Sequence, residues 1–153
     1  MSRNPATEAL LDLLRQGGLG VLVTQKKDGR PQLSNVSFTY DEESRTIRVS
    51  ATDDRAKTRN LRRDPRASFY VGSSDGRSYL VAEGDAELSA VAADPHDAAV
   101  EELIDVYRKI AGEHPDWDEY RAAMVADRRL VIRLRADRAY GSGPQGATSG
   151  PLD

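Results

Sequence analysis

The chain has 153 residues, 39% of them hydrophobic and 31% charged, with a formal net charge of -3. It has no cysteine, which excludes a disulfide scaffold, a thiolate metal site and a cysteine nucleophile. The length suits one domain, and the mild acidity argues against coating nucleic acid through many phosphate contacts.

Asn4-Pro5 reads as a cap followed by a first-turn proline, and Leu10, Leu11, Leu13 and Leu14 form an apolar face that Gly17-Gly18 ends. This predicts a helix over residues 5–16. Leu19 to Gln25 reads as a strand, and Asp28-Gly29 is a hairpin signal because it tolerates positive φ. Pro31 to Tyr40 returns as the second strand. Leu33, Asn35, Ser37 and Thr39 share one face, with Gln32, Ser34, Val36, Phe38 and Tyr40 on the other. Its first half, Gln32-Leu33-Ser34-Asn35, is polar for a strand inside a sheet. Either it is an edge strand facing solvent or its polar atoms meet a ligand.

A third strand is expected over Thr46 to Ala51. It runs into Arg55-Ala56-Lys57-Thr58-Arg59-Asn60-Leu61-Arg62-Arg63-Asp64-Pro65-Arg66, which holds six of the chain's 22 basic residues and one acid. The stretch reads as a short helix capped by Asp53 or Asp54 and stopped by Pro65. Only Ala56, Leu61 and Ala67 offer it an apolar side. A strand running into a helix start presents free N–H groups, and the helix dipole favours an anion there. Arg55 and Lys57 stand at that point, so a phosphate or carboxylate is a natural guest. A solvated charge run is the alternative reading.

Ala67 to Gly72 alternates as a fourth strand, and Arg77 to Leu88 forms a long fifth strand in which Gly84 marks a bulge or bend. Asp94-Pro95 is expected to cap a helix over 95–111, with Val100, Leu103, Ile104, Tyr107, Ile110 and Ala111 on its packed face. Asp116 and Glu119 make a capping pair for a third helix, whose stripe of Trp117, Tyr120 and Met124 suits core packing. Arg129 to Arg135 is the last main strand, with Arg129, Val131, Arg133 and Arg135 on a charged face. Residues 142–153 are rich in Gly, Ser and Pro and are expected to be a disordered tail behind a single domain over 1–141. Strands joined by tight turns, with few helices, predict a closed antiparallel sheet.

Catalytic machinery is hard to find. The two histidines, His96 and His114, fall near helix ends without an i, i+4 partner, so a histidine zinc site is not expected. Glu101-Glu102 reads as a solvated helix face. There is no nucleophile elbow, no Walker loop and no G-x-G-x-x-G after a strand. No apolar run approaches the roughly 20 residues of a membrane span, and no leader peptide is predicted. The remaining pattern is an anion site beside polar and aromatic strands, suited to a ligand that brings its own chemistry.

Two segments, Gly29-Arg30-Pro31-Gln32-Leu33-Ser34-Asn35 and Arg55 through Ala67, resemble the pyridoxamine-5'-phosphate-oxidase-like split barrels, in the actinobacterial branch that uses the deazaflavin coenzyme F420. The likeness continues through Ser78-Tyr79, Val81-Ala82-Glu83-Gly84, Ile110-Ala111-Gly112-Glu113-His114 with Trp117, and Asp127-Arg128-Arg129, across most of residues 5–141. The resemblance implies a mainly β fold, a six-stranded antiparallel split barrel with flanking helices. It implies a homodimer with two cofactor sites at the subunit interface. A cytoplasmic location is expected because the lack of cysteine fits a reducing compartment, and no nucleic-acid partner is expected from the mild acidity. Arg55 and Lys57 would hold the cofactor phosphate, with Ala56 and Asn60 nearby. Gln32, Ser34, Asn35 and Ser50 would line the deazaflavin or its sugar-alcohol chain, and Tyr79 would close the pocket from the other subunit. Arg77 replaces an aromatic of related chains, which favours an anionic tail or substrate over ring stacking. The remaining arginines suit the oligoglutamate tail. The implied reaction is hydride transfer from reduced deazaflavin to a small electron-poor acceptor of enone, quinone or tetrapyrrole type, without a dedicated catalytic side chain. The alternatives are a flavin mononucleotide (FMN) oxidoreductase on the same barrel, or a non-catalytic cofactor-binding protein.

Overall fold

A computed structural model describes residues 4–152. Helix α1 spans Pro5–Arg15. Asn4 Oδ1 accepts the Thr7 N–H at 2.8 Å and Gly17 ends the helix at φ 66°. The chain then forms β1 (Gly18–Gln25), β2 (Pro31–Asp41), β3 (Thr46–Thr52), α2 (Ala56–Arg63), β4 (Arg66–Gly72) and β5 (Tyr79–Leu88). It continues as α3 (Ala98–Ala111), α4 (Trp117–Ala126), β6 (Arg129–Arg135), β7 (Arg138–Gly143) and β8 (Gly146–Pro151). Among the described residues, no helix is long and apolar enough to cross a membrane.

All strand pairs are antiparallel. The order β4-β1-β2-β3-β6-β5, closed by a β4–β5 pairing, makes a six-stranded barrel, and β7 and β8 extend the sheet beyond β5. The mainly β closed barrel with flanking helices is thus the architecture expected. The β1–β2 hairpin turns at Lys26–Arg30, where Gly29 takes φ 89° and Lys26 N–H donates to Arg30 O at 2.8 Å.

Two strands change partners along their length. In β2, residues 31–38 pair with β1, and only Thr39–Asp41 pair with β3. The second edge of Pro31–Phe38 therefore has no ladder partner among the described residues, which explains why this half-strand tolerates polar residues. In β5, Tyr79–Glu83 pair with β7 and Ala86–Leu88 pair with β6. Gly84 lies at the changeover and forms the bend expected of it.

The interior core holds Leu22, Phe38, Ile47, Phe69, Leu80, Leu130, Ile132 and Leu134. Four leucines of α1 and Leu61 of α2 join it, each fully buried leucine contributing about 1.5–3 kcal/mol. α1 leads into the Gly18 end of β1, and α2 is tied to the Gln25 end by Asn60 and Arg63. A second core lies outside the barrel, where Val131 of β6 meets Val100, Leu103 and Ile104 of α3 and Tyr120 and Met124 of α4. Tyr107, His114, Trp117 and Tyr120 pack there as an aromatic cluster.

Several expectations are corrected. α3 begins at Ala98, not 95, and its cap is Asp97, not Asp94. The Asp97 carboxylate accepts N–H groups of Val100, Ala93 and Asp94, while Asp94 serves the turn at His96. Glu102 is not solvated: it accepts from Arg133 Nε at 2.8 Å and lies 3.6 Å from Arg48. β6 is not the last strand, and β8 occupies part of the stretch expected to be disordered. Thr148 and Thr7 share a 2.6 Å hydroxyl hydrogen bond, and Leu152 is buried.

Candidate functional site

β3 delivers the chain to α2 through Asp53, Asp54 and Arg55. Neither aspartate caps the helix. Arg55 occupies the cap position with an extended backbone (φ -69°, ψ 150°) and no side-chain cap hydrogen bond. Asp53 is engaged elsewhere, by Arg62 at 2.5 Å and Arg128 at 3.0 Å. Arg128 and Arg62 together hold its carboxyl below the usual carboxylate range. Asp54 accepts the Thr52 hydroxyl at 3.0 Å. The first turn is instead anchored by Thr58, whose hydroxyl donates to Thr52 O at 2.8 Å. The positive end of the helix is left open to an external anion.

A cleft of about 580 Å³ lies at this point, lined by Thr52, Asp54, Arg55, Ala56, Asp127 and Arg129. Arg129 Nη1 donates to Ser50 Oγ at 3.2 Å, while its buried Nε has no hydrogen-bond partner. Lys57 is half-buried and, though it does not line the cleft, it lies close enough to the lining residues Arg55 and Arg129 to feel both charges. Its pKa lies below the ordinary 10.5, first because burial penalises the ammonium and then because Arg55 and Arg129 repel it. Among the described residues, none of Arg55, Lys57 and Arg129 forms an ion pair. Three cations sharing a partly desolvated corner without a carboxylate partner is costly in a ligand-free protein and favourable once an anion arrives.

The structure thus brings together Ser50, Arg55, Ala56 and Lys57 of the predicted residues. Asn60 points away from the cleft. It is buried, donating from Nδ2 to Thr24 Oγ1 at 3.1 Å and accepting from Arg63 Nη2 at 3.0 Å, so it fastens α2 to β1. Gln32 and Ser34 are half-buried on the inward-facing side of β2, along the half of that strand with a free edge. Asn35 is exposed on the outer side. Arg77 is exposed in the turn before β5, its N–H donating to Asp75 Oδ1 at 2.9 Å. Tyr79 stacks on Tyr70 at 5.9 Å. None of these six lines the cleft; of the predicted residues Arg55 and Ala56 line it, while Ser50 and Lys57 adjoin it through Arg129 and Arg55. Arg129 is the residue that sequence reasoning missed. The alternation of its strand places it on a charged face, but only the β3–β6 ladder sets it opposite Thr52 and beside Ser50.

The outer face of the β2-β1-β4-β5-β7 sheet is unusually apolar. Leu19 is 74% exposed and Leu33 60%, and Tyr70, Tyr79 and Tyr140 are also exposed. The register Asn35–Val21–Tyr70–Val81–Tyr140 shows that these side chains share one surface.

Compared with known proteins, residues 6–143 match the family model described as pyridoxamine 5'-phosphate oxidase. Among solved structures, an F420 reductase is 26% identical over 90% of this chain and 98% of its own, with a TM-score of 0.64. A conserved hypothetical protein of Mycobacterium tuberculosis is 22% identical over 91% of this chain and 88% of its own, at TM-score 0.67. A heme binding protein from Mycobacterium smegmatis is 21% identical, covering 99% of this chain and 60% of its own, at TM-score 0.69. The last two share the fold.

Proposed function

We propose, since this chain belongs to the pyridoxamine 5'-phosphate oxidase family, that it is a cytoplasmic oxidoreductase using the deazaflavin coenzyme F420. The observation that carries this reading is the unpaired cluster of Arg55, Lys57 and Arg129 at an uncapped helix start. These groups fit a phosphate: three donors of positive charge and, among the described residues, a buried guanidinium N–H without a partner and no competing carboxylate in ion-pair contact. The likeness to an F420 reductase and the exposed basic residues that continue along α2, Arg59 and Arg63, favour a cofactor with a further anionic tail over FMN.

In this reading Arg55 and Lys57 grip the cofactor phosphate and Ser50 hydrogen-bonds beside them. Gln32 and Ser34, on the half-strand with a free edge, orient the ring or its sugar-alcohol chain. When bound in reduced form, the deazaflavin supplies a hydride to an electron-poor double bond or ring of enone, quinone or tetrapyrrole type. The protein's own part is positioning and exclusion of water, and no side chain here is assigned a proton-transfer role.

The apolar outer sheet suits a second copy of the chain, whose Tyr79 and Arg77 would then complete the pocket. Sedimentation is expected to show a dimer, and Leu33→Glu is expected to dissociate it, because a carboxylate buried in an apolar interface lacks a partner. A wild-type monomer at micromolar concentration would remove the shared-pocket arrangement.

Fluorescence titration with coenzyme F420 and with FMN tests the cofactor assignment. Tighter binding of F420 is expected, together with turnover of its reduced form on at least one acceptor of the three types. A clear preference for FMN would transfer the assignment to the flavin branch, and binding without turnover on any acceptor would make the protein a cofactor carrier.

A further inference from the structure

Arg129 and Arg48 both lie in the β3–β6 sheet, and both have a buried Nε without a hydrogen-bond partner. Their charges are treated differently. Arg48 is neutralised by α3, with Asp105 at 2.6 Å and Glu102 at 3.6 Å. Among the described residues, Arg129 reaches only the neutral Ser50 hydroxyl. The acids that share its cleft, Asp54 and Asp127, are exposed, and neither comes within ion-pair distance of it. Tyr120 approaches from α4, but its hydroxyl donates to Leu103 O at 3.0 Å and stays protonated, its pKa pushed up to about 12 by burial.

Arg129 is also held in place by more than its side chain. Its backbone pairs with Thr52 across the ladder. Arg128 before it takes the left-handed region at φ 52°. Asp53 fixes that corner twice, donating its N–H to Arg128 O at 3.0 Å and accepting from the Arg128 guanidinium. A residue whose backbone is pinned this firmly and whose charge is left uncompensated fits a waiting ligand group.

We propose that Arg129 sets the charge preference of the cleft, making it select an anion that carries two negative charges over one that carries a single charge. Each cation interacts with a ligand in proportion to the ligand's charge, and a half-buried cation is screened least by water. Removing Arg129 therefore costs a dianion more than a monoanion. The ligand chemistry is a phosphate monoester dianion, or a phosphodiester with a carboxylate close beside it. This rests on the reading of the cleft as an anion site and not on which cofactor fills it.

The test uses the full chain, titrated calorimetrically with inorganic phosphate and with sulfate at about pH 5.5 and about pH 7.5, between which phosphate gains its second charge while sulfate keeps two throughout. Wild type is expected to bind phosphate several-fold tighter at the higher pH, with sulfate nearly unaffected. Arg129→Gln is expected to weaken sulfate about tenfold and to flatten the phosphate dependence, whereas Arg129→Lys keeps both. Equal pH responses in wild type and Arg129→Gln, or no detectable anion binding in wild type, would overturn the inference. F420 and FMN titrations of wild type and Arg129→Gln at the same two pH values then separate the two ligand sources: FMN, a phosphate monoester, gains its second charge between them and loses its pH response in the variant, whereas a phosphodiester has no second ionisation to respond with. Should F420 fail to bind while the phosphate pattern holds, the cofactor assignment falls and this inference stands. Should F420 bind normally while the cleft is blind to charge, the reverse is true.

Discussion

Lys57→Met is expected to raise the melting temperature of the ligand-free protein while weakening cofactor binding by about 1.5–3 kcal/mol, the range for a lost charged hydrogen bond. Both effects have one cause. The Lys57 ammonium is half-buried and repelled by Arg55 and Arg129, so folding lowers its pKa from 10.5. A base whose pKa falls on folding binds fewer protons when folded than when unfolded. Stability therefore rises with pH in the window between the lowered folded value and 10.5, and the penalty applies in full below that window. Methionine keeps the apolar stem and removes the charge, so it removes the penalty. A bound phosphate reverses the sign by returning the ammonium a partner, and in wild type it should abolish the alkaline gain in stability. Melting curves across that window, with and without cofactor, provide the readout. Cofactor affinity unchanged in Lys57→Met would take Lys57 out of the site. A lower melting temperature would show that the ammonium makes a stabilising contact in the empty protein.

What the sequence made legible follows from local physics. Alternation located the strands from β1 to β6, the Asp28-Gly29 pair located the hairpin, and the arginine-rich helix after β3 located the cleft. The failures have a common origin in competition between local partners and distant ones. Asp53 has the right chemistry to cap α2, but Arg128, 75 residues away, takes its carboxylate. The cap of α3 depended on which of two aspartates could gather several N–H groups, and Asp97 gathers three. β8 has almost no apolar side chain to betray it, because its ladder to β7 uses backbone groups and its packing rests on Thr148 and the neighbouring Leu152. The family resemblance implied Asn60 near the cofactor phosphate, yet its amide faces Thr24. Arg129 could be found only through the register of two strands about 80 residues apart, which no local pattern encodes.

Gly84→Ala is expected to destabilise the protein by about 3 kcal/mol or more, at the upper end for an added methyl in a packed site, and Gly84→Val by more still. A β-carbon at this position would lie 2.0 Å from the Arg135 carbonyl oxygen. That oxygen is backbone, held in β6, so no rotamer change relieves the clash. The crowding belongs to the topology. At Gly84 strand β5 leaves β7, to which Glu83 is paired through Arg138, and turns toward β6, where Ala86 meets Leu134. The chain linking β6 to β7 crosses this corner, and Asp137 N–H donates to Glu83 O at 3.0 Å. Barrel closure thus requires two backbones to approach more closely than any side chain permits. Gly72→Ala provides the contrast. Its nearest obstacle is the Tyr70 hydroxyl at 2.9 Å, the end of a side chain that can shift, and its effect is expected within about 1 kcal/mol of neutral. The Gly84 variant should still bind anions with wild-type affinity at a temperature where it remains folded, because Arg129 lies at the other end of β6 from Arg135. Denaturant unfolding that shows Gly84→Ala as stable as wild type would mean the bend does not depend on that contact, and the partner exchange of β5 would need another cause.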